Sequence, residues 1–296
     1  MNPILNPDQP LLATEAFVTY CEGLDHPECV AFDEDGVLWA GGELGQIYRI
    51  DAGGKATEVV RLGGFCLGLT FSASQELWVC NSRLRQMMRV DRSGRVLGVI
   101  ADVEGVPLVN PNFSVFDSEG NLYFSDSGHW DGADGLIYRL RADGVAERFA
   151  GPFAFPNGLA LSADERLLFI AESQTDAVLR IAIGKDGAAG TQDTYADGLA
   201  RVPDGLALDE AGNLYVMCYA SDCIYRVTPG RDVELLAFDR EATRIARPTN
   251  AAFGGPGFDD LYVANLGRWH ISRVHVGARG QRLINMKEAT GRDRTR

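Results

Sequence analysis

Six positions along this chain carry the side chains most suited to joint chemistry: Glu28, Leu67, Asn112, Asn157, Asp204 and Thr249. Five of them follow a proline, in Pro27-Glu28, Pro111-Asn112, Pro156-Asn157, Pro203-Asp204 and Pro248-Thr249; the sixth stands in Cys66-Leu67. Each lies eleven to thirteen residues before an aromatic that follows a leucine. They are therefore one structural position, repeated. Four of the six offer carboxylate or carboxamide oxygens, and none is His or Cys. An oxygen-only set suits Ca²⁺, Mg²⁺ or Mn²⁺ better than a structural zinc. Glu28 and Asp204 would balance the charge of a dication, and Asn112 and Asn157 would add neutral oxygens. Taken singly, an Asx residue after proline often only makes a turn. Taken together, two like charges converge in a closed ring, which is costly without a cation.

The elements that bring these positions together follow from two phrases that keep step. One is Leu-aromatic, at Leu38-Trp39, Leu77-Trp78, Leu122-Tyr123, Leu168-Phe169, Leu214-Tyr215 and Leu261-Tyr262. The other is an arginine flanked by apolar residues, at Arg49, Arg89, Arg139, Arg180, Arg226 and Arg273. The aromatics recur every 39 to 47 residues, about the length of a β-propeller blade. Within each repeat, two apolar runs flank a Gly-containing turn such as Asp33-Glu34-Asp35-Gly36, the pattern of a β-hairpin. The arginine phrase makes a third strand and a more polar run, such as Thr57–Val60, a fourth. The expected fold is all-β: a six-bladed propeller of four-stranded antiparallel blades. The segment Ala16–Tyr20 has no blade of its own, so it is expected to close the ring as the outer strand of blade 6, sparing an open sheet edge. Residues 1–285 then form a single domain, and the polar tail 286–296 is expected to be disordered.

In a propeller the first strand of each blade lines the central channel, so the six repeated positions should meet near one mouth. The second strand runs back to the same mouth. Its ends carry Glu43, Asn81 with Ser82, Asp126 with Ser127, Glu172 with Ser173, Cys218 with Tyr219, and Asn265. His129 and Trp130 follow in a long loop, 127–135, which can wall a pocket. Asp126, His129, Trp130, Glu172 and Tyr219 are thus candidate substrate contacts, with ordinary loop polarity as the alternative. The run Asp33–Gly36 resembles the start of a calcium loop but lacks the glutamate an EF-hand needs at position twelve. The six arginines recur in every blade and so point to packing. His26, two before Glu28, reads as surface, with a supporting place behind the ring as the alternative. No GxSxG elbow, HExxH helix or phosphate-binding glycine loop is present.

The formal net charge of −13 argues against nucleic acid and anionic membrane surfaces as partners. No apolar stretch approaches a membrane span, and the start has no signal-peptide pattern. The six cysteines form no CxxC pair, which fits reduced thiols in a cytoplasmic protein. Oligomeric state is not set by the sequence.

The stretches Pro111-Asn112, Pro156-Asn157-Gly158-Leu159-Ala160-Leu161 and Pro203-Asp204-Gly205-Leu206-Ala207-Leu208, with Glu28 upstream, resemble the channel strands of the senescence marker protein/gluconolactonase/luciferin-regenerating enzyme-like family. The resemblance runs from about Cys21 to Val276. It implies Glu28, Asn157 and Asp204 as ligands of one divalent ion, Ca²⁺ foremost, with Mg²⁺, Mn²⁺ or Zn²⁺ as alternatives. It implies Asn112 as a substrate contact or a further ligand, and Asp204 as general base. Sugar-lactone members carry an arginine two residues before the Asn112 position, where this chain has Asn110. Glu28 is followed by Cys29-Val30 rather than by a small residue and proline. These departures bear on the substrate and leave the metal set intact. The implied chemistry is metal-assisted hydrolysis of a small lactone. The alternatives are an organophosphate or other ester hydrolase on the same ion, a metal-free strictosidine-synthase-like propeller, and a non-catalytic propeller.

Overall fold

The computed structural model describes residues 7–286. The expected tail therefore lies, beyond Met286, outside the described residues. Every Leu-aromatic phrase falls in a second strand and every arginine phrase in a third, and the register sets them directly opposite. Trp39 pairs with Arg49, Trp78 with Arg89, Tyr123 with Arg139, Phe169 with Arg180, Tyr215 with Arg226 and Tyr262 with Arg273. An arginine stem lying across an aromatic buries hydrocarbon while its head stays wet. Arg89, Arg139, Arg180, Arg226 and Arg273 each also meet a carboxylate. The repeated arginines are structural, as the repetition suggested.

Six four-stranded antiparallel sheets result. Five run over 30–61, 66–100, 111–153, 156–196 and 203–238; the sixth takes 248–275 together with Val18–Cys21. That last strand pairs Val18 with Arg273 and Cys21 with Ile271, closing the ring. It begins two residues later than the expected segment because Thr14–Ala16 turn as a single 3-10 helix. A small hairpin, Asp102–Val103 with Val106–Pro107, stands between blades 2 and 3. Each inner strand packs on the next, and that of blade 6 on that of blade 1. The fold is a six-bladed β-propeller. Its core lies in wedges between blades, as where Phe169 and Tyr195 meet Leu206, Leu214 and Tyr225.

The hairpin aspartates are turn formers. Oδ1 of Asp33 accepts from the backbone N–H of Asp35 and Val37, and Asp117 and Asp209 repeat the pattern. Asp33 therefore serves its own turn.

Where the inner strands end, the chain lays a strap across the channel. Gly280 bridges to Asp209, and the Gln281 backbone N–H donates to the Leu208 carbonyl at 2.8 Å. The Gln281 amide donates to Leu161 O (2.9 Å) and the Asn285 amide to Phe32 O (2.8 Å). Inside it lies a cavity of about 390 Å³ lined largely by apolar residues, among them Val30, Leu69, Val115, Leu159 and Leu206. This strap was not expected from the sequence.

Candidate functional site

At the opposite end, where the inner strands begin, the ladder breaks in five of the six blades. The register jumps between Cys66 and Leu69, Pro111 and Ser114, Pro156 and Leu159, Pro203 and Leu206, and Pro248 and Asn250. Each jump is a β-bulge, which leaves one residue unpaired and re-aims a side chain. The re-aimed stretch contains Leu67, Asn112, Asn157, Asp204 and Thr249. Proline suits the position before it, because a strand's first residue can do without an N–H. The glycine after it is required by close approach. A β-carbon on Gly158 would strike the Asp204 carbonyl oxygen, and one on Gly205 the Thr249 carbonyl oxygen. The Pro-Asn-Gly and Pro-Asp-Gly motifs are thus the local code for a bulge pressed against the next blade.

Glu28 and Asp204 come from blades 1 and 5, and the Asp204 carboxyl senses the Glu28 charge. Burial raises the Asp204 carboxyl well above its ordinary value, and the nearby Glu28 charge raises it further; Asn157 offsets part of this. Burial pushes Glu28 up to about 7. The Thr249 hydroxyl beside Glu28 offsets part of this, and it also donates to the Glu28 backbone carbonyl at 2.7 Å. Glu28 as a residue is only half-buried, yet its Oε2 is buried and meets no hydrogen-bond partner among the described residues.

Asn112 and Asn157 are held in one orientation by serines. Ser127 Oγ donates to Pro156 O (2.7 Å) and accepts from Asn112 Nδ2 (3.0 Å). Ser173 Oγ donates to Pro203 O (2.7 Å) and accepts from Asn157 Nδ2 (3.3 Å). A hydroxyl has one proton, and each serine gives it to the next blade. Each amide must therefore turn its nitrogen to the serine, leaving Oδ1 on the other side. Sequence reading set both serines at the mouth but gave them no task. Their signal was present in Asp126-Ser127 and Glu172-Ser173, an acid-serine pair at the same point of adjacent blades.

The remaining candidates divide. Asp126 accepts from the backbone N–H of Val109 (2.8 Å) and Asn110 (2.5 Å), so it clamps the loop that leads into blade 3. Glu172 does the same for blade 4 through Ala154 N–H (2.8 Å). Both carboxyls serve the rim's backbone. Asn110, half-buried, stands on that rim. Trp130 is exposed and packs edge-on against Phe155, ring centres 4.8 Å apart, so the loop leans on blade 4. His129 is exposed beside it and bonds Asp134 at 2.7 Å. Tyr219 accepts from the Arg247 guanidinium at 3.0 Å. His26, partly exposed, bonds Asp25 at 2.8 Å and packs tilted against Trp269, ring centres 4.3 Å apart.

The donor set is oxygen-only and includes two anions, one with a buried oxygen left without a partner. No basic side chain stands at any ring position. Such a set fits a hard divalent cation. It does not fit a thiol nucleophile: all six cysteines are free and buried, and burial pushes the Cys29 and Cys66 thiols up to about 12, where they stay protonated.

Residues 26–266, which span all six ring positions, match the model of the SMP-30/gluconolactonase/LRE-like region. This chain belongs to that family. Among its relatives, the pentonolactonase XacC of Haloferax volcanii is 26% identical over 238 residues, covering 79% of each chain. A gluconolactonase from Xanthomonas campestris shares the fold, with a TM-score of 0.77 at 20% identity over 88% of this chain and 89% of that one. So does regucalcin from Agrobacterium tumefaciens, described as a calcium-binding protein, with a TM-score of 0.75 at 17% identity over 92% and 97%. No helix among the described residues is long and apolar enough to cross a membrane.

Proposed function

We propose that this member of the family is a divalent-metal-dependent lactonase. The observation that carries the reading is the pairing of Glu28 and Asp204 from blades 1 and 5, with one buried carboxylate oxygen unpartnered. Glu28, Asn157 and Asp204 would hold the ion, with Asn112 either joining them or touching substrate. The Agrobacterium relative's description favours Ca²⁺; the oxygen donors alone also admit Mg²⁺, Mn²⁺ and Zn²⁺. Such an ion supplies Lewis acidity toward the lactone carbonyl.

The chain's own part is positioning and proton traffic. Asp204 accepts a proton from the attacking water; as a ligand its own proton affinity would be lowered, so its help lies mainly in positioning a water that the ion would acidify. The water oxygen adds to the carbonyl carbon, the ring C–O bond breaks, and the departing alkoxide takes up the proton. Ser127 and Ser173 keep the amide oxygens of Asn112 and Asn157 available throughout. The free buried thiols favour a cytoplasmic setting, and residues 1–285 act as one domain. The substrate is a small lactone or ester, with neither nucleic acid nor membrane as partner.

The test is a pH-drop assay on a panel of lactones and a phosphotriester, with purified protein before and after chelation. Lactone turnover that disappears with chelator and returns with Ca²⁺ or Mn²⁺ supports the reading. Turnover indifferent to chelator, or confined to the phosphotriester, overturns it.

A further inference from the structure

Two residues before each ring position lies another repeated site: His26, Phe65, Asn110, Phe155, Val202 and Arg247. All six are at least partly exposed, whereas five of the six ring residues are buried, so they form a second tier at the rim. Four of them are left-handed, with φ of 44° at His26, 60° at Phe155, 62° at Val202 and 50° at Arg247. A β-branched or aromatic residue rarely adopts this conformation, at a cost on the order of 1–3 kcal/mol. The carbonyls of Phe65, Asn110, Phe155, Val202 and Arg247 accept from backbone N–H groups just past the second strands, at Ser82, Ser127, Ser173, Tyr219 and Leu266, which ties five of the six to the rim. The same strain repeated around one mouth marks a surface shaped for use.

The side chains say what for. Phe65, Phe155 and Val202 are hydrocarbon; Trp130 packs on Phe155, Tyr219 adjoins Val202, and Trp269 covers His26. A polyol would need many donors and acceptors here, and His26 is already engaged by Asp25 and Glu43. Arg247 is the tier's one permanent cation. Tyr219 holds it twice, by its ring (5.4 Å to the centroid) and by its hydroxyl (3.0 Å). Its guanidinium meets no carboxylate within ion-pair distance among the described residues. Asp222 takes the Arg247 backbone N–H at 2.6 Å and senses its charge from farther off. A guanidinium fixed in place with its fork open is suited to a carboxylate.

We propose that this collar selects a lactone with an apolar body and a carboxylate, which Arg247 holds while the ring carbonyl faces the inner tier. The proposal rests on the lactonase reading for the reaction, but not for the binding of the anion.

The experiment uses Ca²⁺-loaded full-length protein and 3-oxocyclopentane-1-carboxylate, a ketone that no hydrolase can open, with 3-(hydroxymethyl)cyclopentanone as its neutral twin. Calorimetry gives Kd for the wild type, Arg247→Met and Arg247→Lys. The acid should bind at least tenfold more tightly than the neutral ketone. Arg247→Met should raise its Kd about tenfold to a hundredfold, as losing a charged hydrogen bond does. Arg247→Lys should recover part of the loss, and melting temperatures should stay level. Equal affinity for the two ketones, or no binding of the acid, overturns the proposal, as does an acid preference that survives in Arg247→Met. Turnover of 5-carboxy- and 5-hydroxymethyl-γ-butyrolactone is read alongside. If neither opens while the Arg247 dependence holds, the lactonase reading falls and the collar stands.

Discussion

The two ends of the channel are built from the same six strands, yet they solve opposite problems. Where the strands begin, bulges break the ladder, and the mouth gathers two acids whose carboxyls are raised by burial. Where they end, the ladder is regular, and the strap's amides at Gln281 and Asn285 bond the terminal carbonyls of Leu161 and Phe32. One end leaves a polar atom wanting a partner; the other satisfies its polar groups and buries hydrocarbon between them. The contrast teaches where function and stability reside. Unmet polar groups and strain mark the site, and saturation marks the scaffold.

That division is broken most directly by exchanging the effects. Asp204→Asn and Glu28→Gln should each lower lactone kcat/KM on the order of a thousandfold, the scale of removing a positioned base or charge. Without metal they should melt no lower than wild type, because each removes half of a buried like-charge pair. Near-wild-type turnover in either variant would refute the assignment. At the other end Phe253, buried against Tyr215 and Phe258, should behave in the reverse way. Phe253→Ala should cost about 3–5 kcal/mol in denaturant unfolding while kcat/KM stays within a few-fold. Equal losses of stability from both ends would erase the contrast.

Much of the active end was readable from residues alone, because its code is local. A proline, a ring residue and often a glycine, set at a fixed distance from an aromatic, specify a strand start, a bulge and a close approach. Each has a steric cause that acts within a few residues. Glu28 and Asp204 could be paired across blades for the same reason: a repeat turns sequence register into spatial register. The strap was not legible, since its bonds run from side-chain amides to distant carbonyls and impose no periodicity on 279–286. The collar was missed for another reason. Nothing about Phe155, Val202 or Arg247 as residue types announces a positive φ, and the carbonyl bond they share with Phe65 and Asn110 does not by itself produce one. Asp126 and Glu172 looked like mouth groups by polarity, yet polarity does not tell a substrate contact from a clamp on backbone N–H groups.

A pH series sharpens the comparison. In metal-free protein, burial raises Glu28 from 4.5 to about 7. Between those values the folded state holds a proton that the unfolded state has released, so stability falls as pH rises through the window. Below 4.5 both states are protonated and the effect of this group is flat. The difference between wild type and Glu28→Gln in urea cancels the carboxyls outside the Glu28–Asp204 pair. That difference should grow to the disadvantage of wild type from pH 4.5 to 7, and saturating Ca²⁺ should abolish it. A wild type that gains on the variant over this range without metal would show that the two charges do not burden each other.

The smallest expected effect tests how far the mouth depends on its supports. Ser173 touches Asn157 and the Pro203 carbonyl, both of which lie at the ring itself. In Ser173→Ala the Asn157 amide loses the acceptor that fixes which way it faces, and the Pro203 carbonyl loses a donor. Outer supports of this kind typically contribute tenfold or more to metal affinity, and an unmet buried carbonyl costs about 1 kcal/mol. Calorimetry should therefore show Ca²⁺ Kd rising about tenfold with a modest drop in melting temperature. Ser173→Thr, which retains the hydroxyl, should restore most of the affinity. If Ser173→Ala lowers the melting temperature yet leaves Kd unchanged, the serine belongs with the strap as scaffold, and the boundary between the two ends lies closer to the carboxylates than the hydrogen bonds suggest.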